Sequence, residues 1–340
     1  MRPTRNLVTL LGIAAVLASG CSSTAPSESP QTDDLPLRQV AQVELTGGPA
    51  RFDYTSIDIG RGLLFIAHMG AGEIIEVDVH GHQVVRTLMD VPDVHGVLAV
   101  PDKHRVYATA TGRNQLVAFD EDTGEVVFTA PTGDYPDGLA YDPVRNTVWT
   151  TNEHAGTETV VDADSGAVRA TVDLGGEVGN VVYDPAIDRM VVAVQGRGDL
   201  AVIDPGGYTV TDRIPTPGCD SPPGQALDAA GQVMFVGCEA DAIMVTVDLT
   251  ARAVTGRDTV GQTPDVLAYD PGAHRIYVAA ESGVVSVFDR SDGHTVPAGA
   301  AHLADGAHIL ALDPATHHTY FPIPTGPGDT PVLWEFEPTS

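Results

Sequence analysis

Basic side chains are scarce in this chain. It has 340 residues, of which 18 are Lys or Arg and 46 are Asp or Glu, so its formal net charge is −28. Such an acidic surface repels phosphate backbones, and no basic stripe offsets it, which excludes nonspecific nucleic-acid binding. The same charge makes the protein a poor partner for anionic lipid headgroups. The acidity by itself favours solubility and does not indicate a function.

The motifs of several large enzyme classes are also missing. The sequence has no nucleophilic serine motif, no phosphate-binding glycine loop and no haem-attachment sequence. Its two Trp residues form no stacking pattern, so electron transfer through a quinone cofactor is a weak interpretation. An apolar stripe with helical periodicity is absent as well, which excludes a helical solenoid.

Cysteine is rare, and the first of the three cysteines lies in a targeting segment. Arg2 and Arg5 give a basic start, and the apolar run 7–17 is too short to span a bilayer. The Leu-Ala-Ser-Gly-Cys sequence that ends at Cys21 resembles the cleavage box of bacterial lipoproteins. This resemblance implies a signal peptide over residues 1–20 and a lipidated Cys21, hence export to the periplasmic or extracellular face of the cell envelope. An ordinary secretory signal with an unrelated cysteine is the alternative.

The most informative feature that is present is a sevenfold repeat. Its apolar anchor residues are spaced by 42, 42, 42, 44, 42 and 43 residues. The anchors are Phe65, Tyr107, Trp149, Val191, Phe235, Tyr277 and Tyr320. Each one follows a short apolar run that ends near Asp or Pro, and then a polar turn. Seven such copies, made of strand-length pieces, predict an all-β fold, a seven-bladed β-propeller.

The third repeat shows how one blade is built. It contains four strand-length segments, at 138–142, 147–151, 158–162 and 168–172. The Pro, Asn, Asp and Gly residues between them are typical of tight turns. First segments are nearly all apolar, as expected for strands that pack on both faces. Each repeat is therefore predicted to be a four-stranded antiparallel blade whose faces are buried against the neighbouring blades.

The two ends of the chain predict closure of the ring. The last repeat has only one segment after its anchor, near 332–336, and an unassigned segment at 40–45 precedes the first repeat. That N-terminal strand can complete the last blade and fasten the ends together. One propeller domain is thus expected over residues 38–337, preceded by a disordered tether over 21–37 that is rich in Ser, Pro, Gln and Asp.

Cys219 and Cys238 are predicted to form a disulfide, because an exported compartment is oxidising. Cys219 lies in the loop that precedes the fifth repeat and Cys238 ends the second strand of that repeat, so both reach the same rim. A bridge that closes a loop of this size stabilises a protein by about 3 kcal/mol. The alternative is a soft-metal site shared with nearby His residues.

Short recurrent sequences point to a family. They are Trp-Thr-Thr-Asn at 149–152, Tyr-Ala-Thr at 107–109 and Arg-Ile-Tyr-Val-Ala at 275–279, with repeated Tyr-Asp-Pro and Asp-x-x-x-Gly turns. Over most of the chain this pattern resembles the YVTN-type (YncE-like) β-propeller repeat proteins. The resemblance implies the propeller fold. It implies no particular reaction, because many members look like cell-surface or periplasmic propellers without one.

The candidate site follows from the geometry of a propeller. The loops that lead into first strands and those that join second to third strands open on one face, beside the central channel. The residues twelve before each anchor lie on these loops, and five of the seven are Asp or His: Asp53, His95, Asp137, Gly179, Pro223, Asp265 and His308. A second set lies three or four residues after the anchors: His68, Asn152, Glu153, Gln195, Cys238, Glu239 and Glu281. His154 and Asn180 adjoin these sets.

Carboxylates held around a water-filled mouth repel one another, so they need a cation, a proton or shifted pKa values. Oxygen ligands with one or two imidazoles suit a divalent cation such as Ca²⁺, Mg²⁺, Mn²⁺ or Zn²⁺. The predicted metal ligands are Asp137, Asn180 and Asp265. The predicted ligand-binding residues are Asp53, His68, Asn152, His154, Gln195, Glu239 and Glu281. The alternative is that small and acidic residues here only cap loop amides near a crowded axis.

Two classes of function fit these residues. The first is a binding protein that presents the mouth to a small molecule, a cation or an envelope protein, without turnover and with its lipid anchor as the only membrane contact. The second is a metal-assisted hydrolase or lyase, by analogy with lactonases and streptogramin lyases, with His95 or His308 as general base and Glu153 as a helper. The binding function is favoured, because the family resemblance supplies no reaction.

The opposite face is predicted to carry only turns. Its polar residues occur in Pro-, Asp- and Gly-rich turn sequences, such as 101–104 and 270–274. His317 and His318 are adjacent there, but neighbouring strand residues point to opposite faces. They are therefore assigned to the surface and not to a metal pair.

Overall fold

The computed structural model describes residues 35–339 of the chain. The predicted signal peptide, the lipidation site Cys21 and all but the last three residues of the predicted tether lie outside these residues. Leu37 of that tether is already part of the first strand, so regular structure begins one residue before the predicted domain boundary.

The described chain forms seven four-stranded antiparallel sheets, which confirms the all-β seven-bladed propeller. The chain begins with β1 (Leu37–Glu44). Blade 1 consists of β2 (Thr55–Asp58), β3 (Leu63–His68), β4 (Glu73–Asp78) and β5 (Gln83–Leu88). Blade 2 consists of β6 (Val94–Val100), β7 (Arg105–Ala110), β8 (Gln115–Asp120) and β9 (Val126–Pro131). Blade 3 consists of β10 (Pro136–Asp142), β11 (Thr147–Asn152), β12 (Thr157–Asp162) and β13 (Val168–Asp173), close to the predicted segments.

The remaining blades repeat this order. Blade 4 consists of β14 (Val181–Asp184), β15 (Arg189–Val194), β16 (Asp199–Asp204) and β17 (Thr209–Pro215). Blade 5 consists of β18 (Gln225–Asp228), β19 (Val233–Cys238), β20 (Ile243–Asp248) and β21 (Ala253–Thr259). Blade 6 consists of β22 (Pro264–Asp270), β23 (Arg275–Ala280), β24 (Val284–Ser291) and β25 (His294–His302). Blade 7 consists of β26 (Ala311–Asp313), β27 (His318–Ile323), β28 (Val332–Pro338) and β1.

Helical structure is limited to single turns between strands. Within the described residues these are the 3₁₀ helices η1 (Met69–Ala71), η2 (Pro101–Lys103), η3 (Thr111–Arg113) and η4 (Glu239–Asp241). No helix in residues 35–339 is long and apolar enough to cross a bilayer.

Buried aspartates hold the turns that follow the first strands. The Oδ1 atom of Asp142 accepts hydrogen bonds from the backbone N–H groups of Val144 at 2.9 Å and Arg145 at 3.1 Å. Asp270 accepts in the same way from the N–H group of Gly272 at 2.9 Å. Both aspartates are completely buried. A side chain that satisfies orphan amides of a tight turn explains why Asp recurs at this point of the repeat.

The adjacent histidines on this face have separate partners. His317 Nδ1 lies 2.7 Å from Oδ2 of Asp270, whereas His318 Nδ1 lies 2.6 Å from Oε1 of Glu335. The two imidazoles therefore do not share a ligand, in agreement with the prediction that they are not a metal pair.

The core is divided among the interfaces between blades. The first strands contact one another around the ring, including β26 with β2, and so enclose the central channel. Seven buried apolar clusters lie among the described residues, each joining two successive blades. Each cluster contains one anchor, for example Phe65 between blades 1 and 2 and Tyr320 between blades 7 and 1. The period of the sequence thus corresponds to one large apolar side chain per interface.

The N-terminal strand completes the last blade. β1 pairs antiparallel with β28, from Leu37 opposite Pro338 to Glu44 opposite Val332, with a bulge between Gln39 and Ala41. This pairing confirms the predicted closure, in which the two ends of the described chain are fastened within one sheet.

The cysteine pair lies in the interface between blades 4 and 5. The Sγ atoms of Cys219 and Cys238 are 2.00 Å apart, which is a disulfide distance and confirms the predicted pairing. Cys219 is 5% exposed and Cys238 is fully buried, so the bridge belongs to the core and ties a loop of the channel face to β19.

Candidate functional site at the channel mouth

One end of the channel opens into an acidic cavity of about 260 Å³, which we call the channel mouth. It is formed by the loops that precede first strands and the loops that join second to third strands. Six carboxylate side chains line it: Asp53, Asp137, Glu153, Glu239, Asp265 and Glu281. Arg51 is the one Lys or Arg side chain in the lining. The mouth is therefore a strongly negative concave surface, which concentrates cations.

The residues predicted to converge here do so. Asp53, His95, Asp137 and Asp265, which share one repeat position, all line the cavity. Nδ1 of His308, at the same position of blade 7, lies at hydrogen-bond distance, 2.8 Å, from Oδ2 of Asp265. These side chains come from five blades and meet at a single opening, as the repeat geometry predicts.

Glycines allow the loops to approach closely enough for this convergence. A Cβ atom added to Gly224 would lie 1.8 Å from the carbonyl oxygen of Asp265, and one added to Gly96 would lie 2.2 Å from that of Asp137. Only a residue without a side chain fits either gap. Each aspartate is thus seated against the backbone of the preceding blade, which fixes its position at the axis.

The densest group of donor atoms joins blades 6 and 7. One ligand atom each from Asp265, Glu281 and His308 lies within 4.8 Å of the other two. His308 is 2% exposed, and its Nδ1 atom is 2.8 Å from Asp265 and 3.5 Å from Oε1 of Glu281. Two carboxylates and one imidazole form a donor set suited to a divalent cation.

An aromatic wall lines the other side of the mouth. His95, 7% exposed, places Nε2 at 3.1 Å from Oη of Tyr135, while its Nδ1 is 3.0 Å from Oγ1 of Thr111. The Tyr135 ring also lies against the ring of His154, with centroids 4.1 Å apart. His154 in turn forms a second group of ligating atoms with Glu153 and Glu177, on the more exposed rim. The aromatic rings on this side of the mouth therefore lie among carboxylates such as Asp137 and Glu153.

Crowding of the carboxylates changes their protonation. Burial raises the pKa of Asp53 to about 7, and the charges of Asp137 and Asp265 add to this rise. Burial, followed by the charges of Glu153 and Asp265, raises the pKa of Asp137 well above its usual range. Burial lowers the pKa of His308, but its hydrogen bond to Asp265 and the surrounding carboxylates outweigh this effect, so the pKa is raised overall. Raised pKa values favour protonation, which reduces the repulsion among these carboxylates.

Two residues predicted at the mouth lie elsewhere. His68 is fully buried, stacks on Phe52 at 4.5 Å and bonds Glu73 through Nδ1 at 3.0 Å. Asn152 is fully buried and supports a loop through the N–H group of Gly133 at 2.9 Å. Both lie three residues after an anchor, and their placement at the mouth was wrong. Successive side chains of a strand point to opposite faces, so the position four residues after the anchor faces the channel instead.

The residues at that fourth position line the cavity as predicted. They are Glu153, Gln195, Glu239 and Glu281. Burial raises the pKa of Glu153 and of Glu239, and neighbouring carboxylates reinforce this effect. Gln195 is held by a hydrogen bond from Nε2 to the carbonyl oxygen of Val178 at 3.2 Å.

Asn180 lies deeper than the other predicted metal ligands. It lines a second cavity of about 210 Å³ inside the channel, and Tyr54 borders both cavities. Burial raises the pKa of the Tyr54 phenol well above its usual range, and the charges of Asp137 and Asp265 add to this rise. Tyr54 thus joins the mouth to the inner cavity, and Asn180 lines only the inner cavity, whereas Asp137 and Asp265 line the mouth.

Arg51, Tyr54, Tyr135 and Glu177 are site residues that the sequence interpretation missed. Arg51, Tyr135 and Glu177 share the position fourteen before an anchor, two residues before the aspartate and histidine set. Residues two apart on an extended loop face the same way, so the same period could have identified them. Tyr54 follows Asp53 directly and carries no comparable signal.

The donor atoms of the mouth fit a divalent cation. Oδ1 of Asp137 is buried and has no hydrogen-bond partner, although the same side chain faces the cavity. A buried oxygen without a donor indicates a missing partner, which a cation, an ordered water or a ligand N–H would supply. Asp265, Glu281 and His308 would hold the ion, with Asp137 and Asp53 adding negative charge nearby.

No protein-family model matches this chain, and no curated protein matches it significantly. The seven-bladed fold is established by the structure, and such a fold supports a binding or scaffold role. Membership of the YVTN-type family stays a prediction from the repeats.

Proposed function

We propose that this protein is an extracytoplasmic, lipid-anchored binding propeller whose channel mouth takes a divalent cation. The bound ion would be its contact point with a small molecule or an envelope protein. Export and anchoring rest on the sequence before residue 35, and the cation site rests on the mouth.

One observation carries the cation site. The ligand atoms of Asp265, Glu281 and His308 lie within 4.8 Å of one another, beside the buried and unpartnered Oδ1 of Asp137. Carboxylates placed this close are mutually repulsive, and a divalent ion relieves the repulsion more effectively than protons do. His308 adds a nitrogen ligand, which suits Mn²⁺ and Zn²⁺, whereas oxygen-only coordination favours Ca²⁺ and Mg²⁺.

Titration calorimetry of the untagged, full-length protein with Ca²⁺, Mg²⁺, Mn²⁺ and Zn²⁺ tests the proposal. At least one ion is expected to bind with a stoichiometry near one. The double substitution Asp265→Asn and Glu281→Gln is expected to weaken that binding by about a hundredfold or more, because it removes two charged ligands. Glu125→Gln, on an exposed outer turn, is the control and should bind like the wild type. Failure of all four ions to bind would refute the cation site.

A metal-assisted hydrolase or lyase is the second candidate. The contact of His95 Nε2 with Tyr135 Oη at 3.1 Å favours it, because this pair lies at the mouth and can pass a proton between imidazole and phenol. Turnover of lactones or cyclic esters by the metal-loaded protein, lost in His95→Gln with metal affinity retained, would establish catalysis. Metal binding without turnover would favour the binding function.

A further inference from the structure

Arg51 reaches from blade 1 to blade 6 across the mouth. Its Nη2 atom lies 2.6 Å from Oε1 of Glu281, and its Nε atom lies 3.7 Å from Oδ2 of Asp53. Arg51 and Asp53 are two residues apart in sequence, whereas Arg51 and Glu281 are 230 residues apart. A single guanidinium thus neutralises carboxylates from two different blades.

The backbone of Arg51 is fixed while its side chain is accessible. The carbonyl oxygen accepts a hydrogen bond from the N–H group of Gly70 at 3.0 Å, which ties the loop to η1. The side chain is 41% exposed at the edge of the cavity. Burial lowers the pKa of Arg51, but its hydrogen bond to Glu281 and the charges around it outweigh this effect, so the guanidinium stays cationic. The head group can therefore move without disturbing the loop.

The same carboxylate oxygen serves Arg51 and the candidate metal group. Oε1 of Glu281 is 2.6 Å from the guanidinium and 3.5 Å from Nδ1 of His308. A divalent ion binds carboxylate oxygens at about 2.0–2.6 Å, well inside the space that the guanidinium occupies. Two positive groups on one oxygen repel each other strongly in a partly buried site. An ion that takes Oε1 of Glu281, the oxygen nearer His308, therefore competes with Arg51 for it.

We propose that Arg51 is a tethered counter-ion of the channel mouth, displaced when a divalent cation binds, and that it sets the affinity and selectivity of the site. This inference rests on the proposed cation binding. Glu153 and Glu239, which line the same cavity, offer alternative partners to the released guanidinium. If a monovalent ion replaces the guanidinium of Arg51, the positive charge beside Glu281 stays the same. If a divalent ion replaces it, that charge rises by one unit. The exchange thus favours divalent over alkali-metal ions.

Arg113 offers a matched control for this idea. It lies in η3, which joins the second and third strands of blade 2 on the same face of the disk. Its side chain is 42% exposed and pairs with Asp90, outside the mouth. Replacing Arg113 by Gln changes the net charge as Arg51→Gln does, but it frees no carboxylate of the mouth.

The experiment compares Mn²⁺ binding by the full-length wild type, Arg51→Gln and Arg113→Gln in calorimetric titrations at fixed ionic strength. Arg51→Gln is expected to bind Mn²⁺ about tenfold more tightly or better, and Arg113→Gln to stay within about threefold of the wild type. Addition of about 0.1 M Na⁺ in place of a bulky organic cation should weaken Mn²⁺ binding more in Arg51→Gln than in the wild type. Arg51→Lys, which keeps the charge, should bind with intermediate affinity and serves if the Gln variant does not fold.

The outcomes separate the two proposals. Equal or weaker Mn²⁺ binding by Arg51→Gln, with a wild type that binds, would overturn the displacement and leave the cation site intact. Tighter Mn²⁺ binding by both arginine variants would mean that the change in net charge alone explains the effect, and this would also overturn the displacement. No Mn²⁺ binding by the wild type or any variant would overturn the cation site for this ion, and the displacement with it.

Discussion

Glu158 is a carboxylate at a repeat position that other blades fill with apolar residues. It lies in β12, opposite Thr151 and Val172, and is fully buried with no hydrogen-bond partner for either carboxyl oxygen. The corresponding residues of other blades are apolar: Ile74, Leu116, Leu200, Met244 and Val285. Burial raises the pKa of Glu158 well above its usual range, because it favours the neutral form of the carboxyl group. An unsatisfied carboxyl in an apolar interface destabilises the fold.

Glu158→Leu is therefore expected to raise the free energy of unfolding by about 1–3 kcal/mol, since it replaces an unsatisfied polar group by the residue type of the other blades. Urea denaturation followed by tryptophan fluorescence measures the change, because Trp149 is buried in the adjacent core. Glu125→Leu, on an exposed turn, is the control and should change stability by less than about 0.5 kcal/mol. A destabilised Glu158→Leu variant would show that the carboxyl has a partner after all.

The strand β1 matters most among the elements, because it alone joins the two ends of the described chain. Only one of its residues is buried: Val43, 7% exposed, enters the cluster between blades 7 and 1. Val40 of the same strand is 38% exposed. Backbone pairing with β28 and one buried valine therefore fasten the ring.

Val43→Asn is expected to lower the free energy of unfolding by about 2 kcal/mol or more, because it buries an amide in an apolar cluster. Val40→Asn, the same change on the exposed side of β1, should have an effect of about 0.5 kcal/mol or less. Thermal unfolding of both variants measures the difference. Equal effects of the two substitutions would argue against a role for the buried side of β1 in closing the ring.

The whole molecule combines a net charge of −28 with buried carboxyl groups that prefer to be neutral. Besides Glu158, burial and the charge of Asp58 raise the pKa of Glu121 to about 7. Glu121 is 1% exposed, and its oxygens have no hydrogen-bond partner, although Nη1 of Arg61 lies 3.4 Å from Oε2 and its charge partly offsets the rise. An acid whose pKa is higher in the folded state than in the unfolded state binds more protons when folded. Its contribution to stability is complete below the unfolded pKa and is lost as the pH rises through the folded pKa.

The free energy of unfolding is accordingly expected to fall as the pH rises from about 4 through 7 and beyond, by about 1 kcal/mol or more in total. Chemical denaturation at constant ionic strength between pH 4.5 and pH 8.5, roughly, covers this window. The combined substitutions Glu121→Gln and Glu158→Gln should make the dependence shallower, because neither amide titrates, whereas the raised acids of the mouth still contribute. A stability that rises over this range in the wild type would contradict the assignment of these groups as buried acids.

The sequence by itself determined the number of blades, the closure by β1, the cysteine pair and the ring of Asp and His residues twelve before the anchors. These follow from a period, an alternation of apolar residues and the chemistry of tight turns, all of which are local properties repeated seven times. The misplacement of His68 and Asn152 at the mouth came from treating two neighbouring strand positions as equivalent, and the predicted metal ligand Asn180 lines the inner cavity instead.

Only the tertiary structure decided which side chains reach the axis and what they meet there. The contact of Arg51 with Glu281 joins residues 230 apart in sequence, and that of His308 with Asp265 joins residues 43 apart. Neither contact is implied by the repeat, because each depends on the direction in which a single side chain leaves its loop. The order of the blades is fixed by local patterns, whereas the chemistry of the mouth arises where loops of different blades converge.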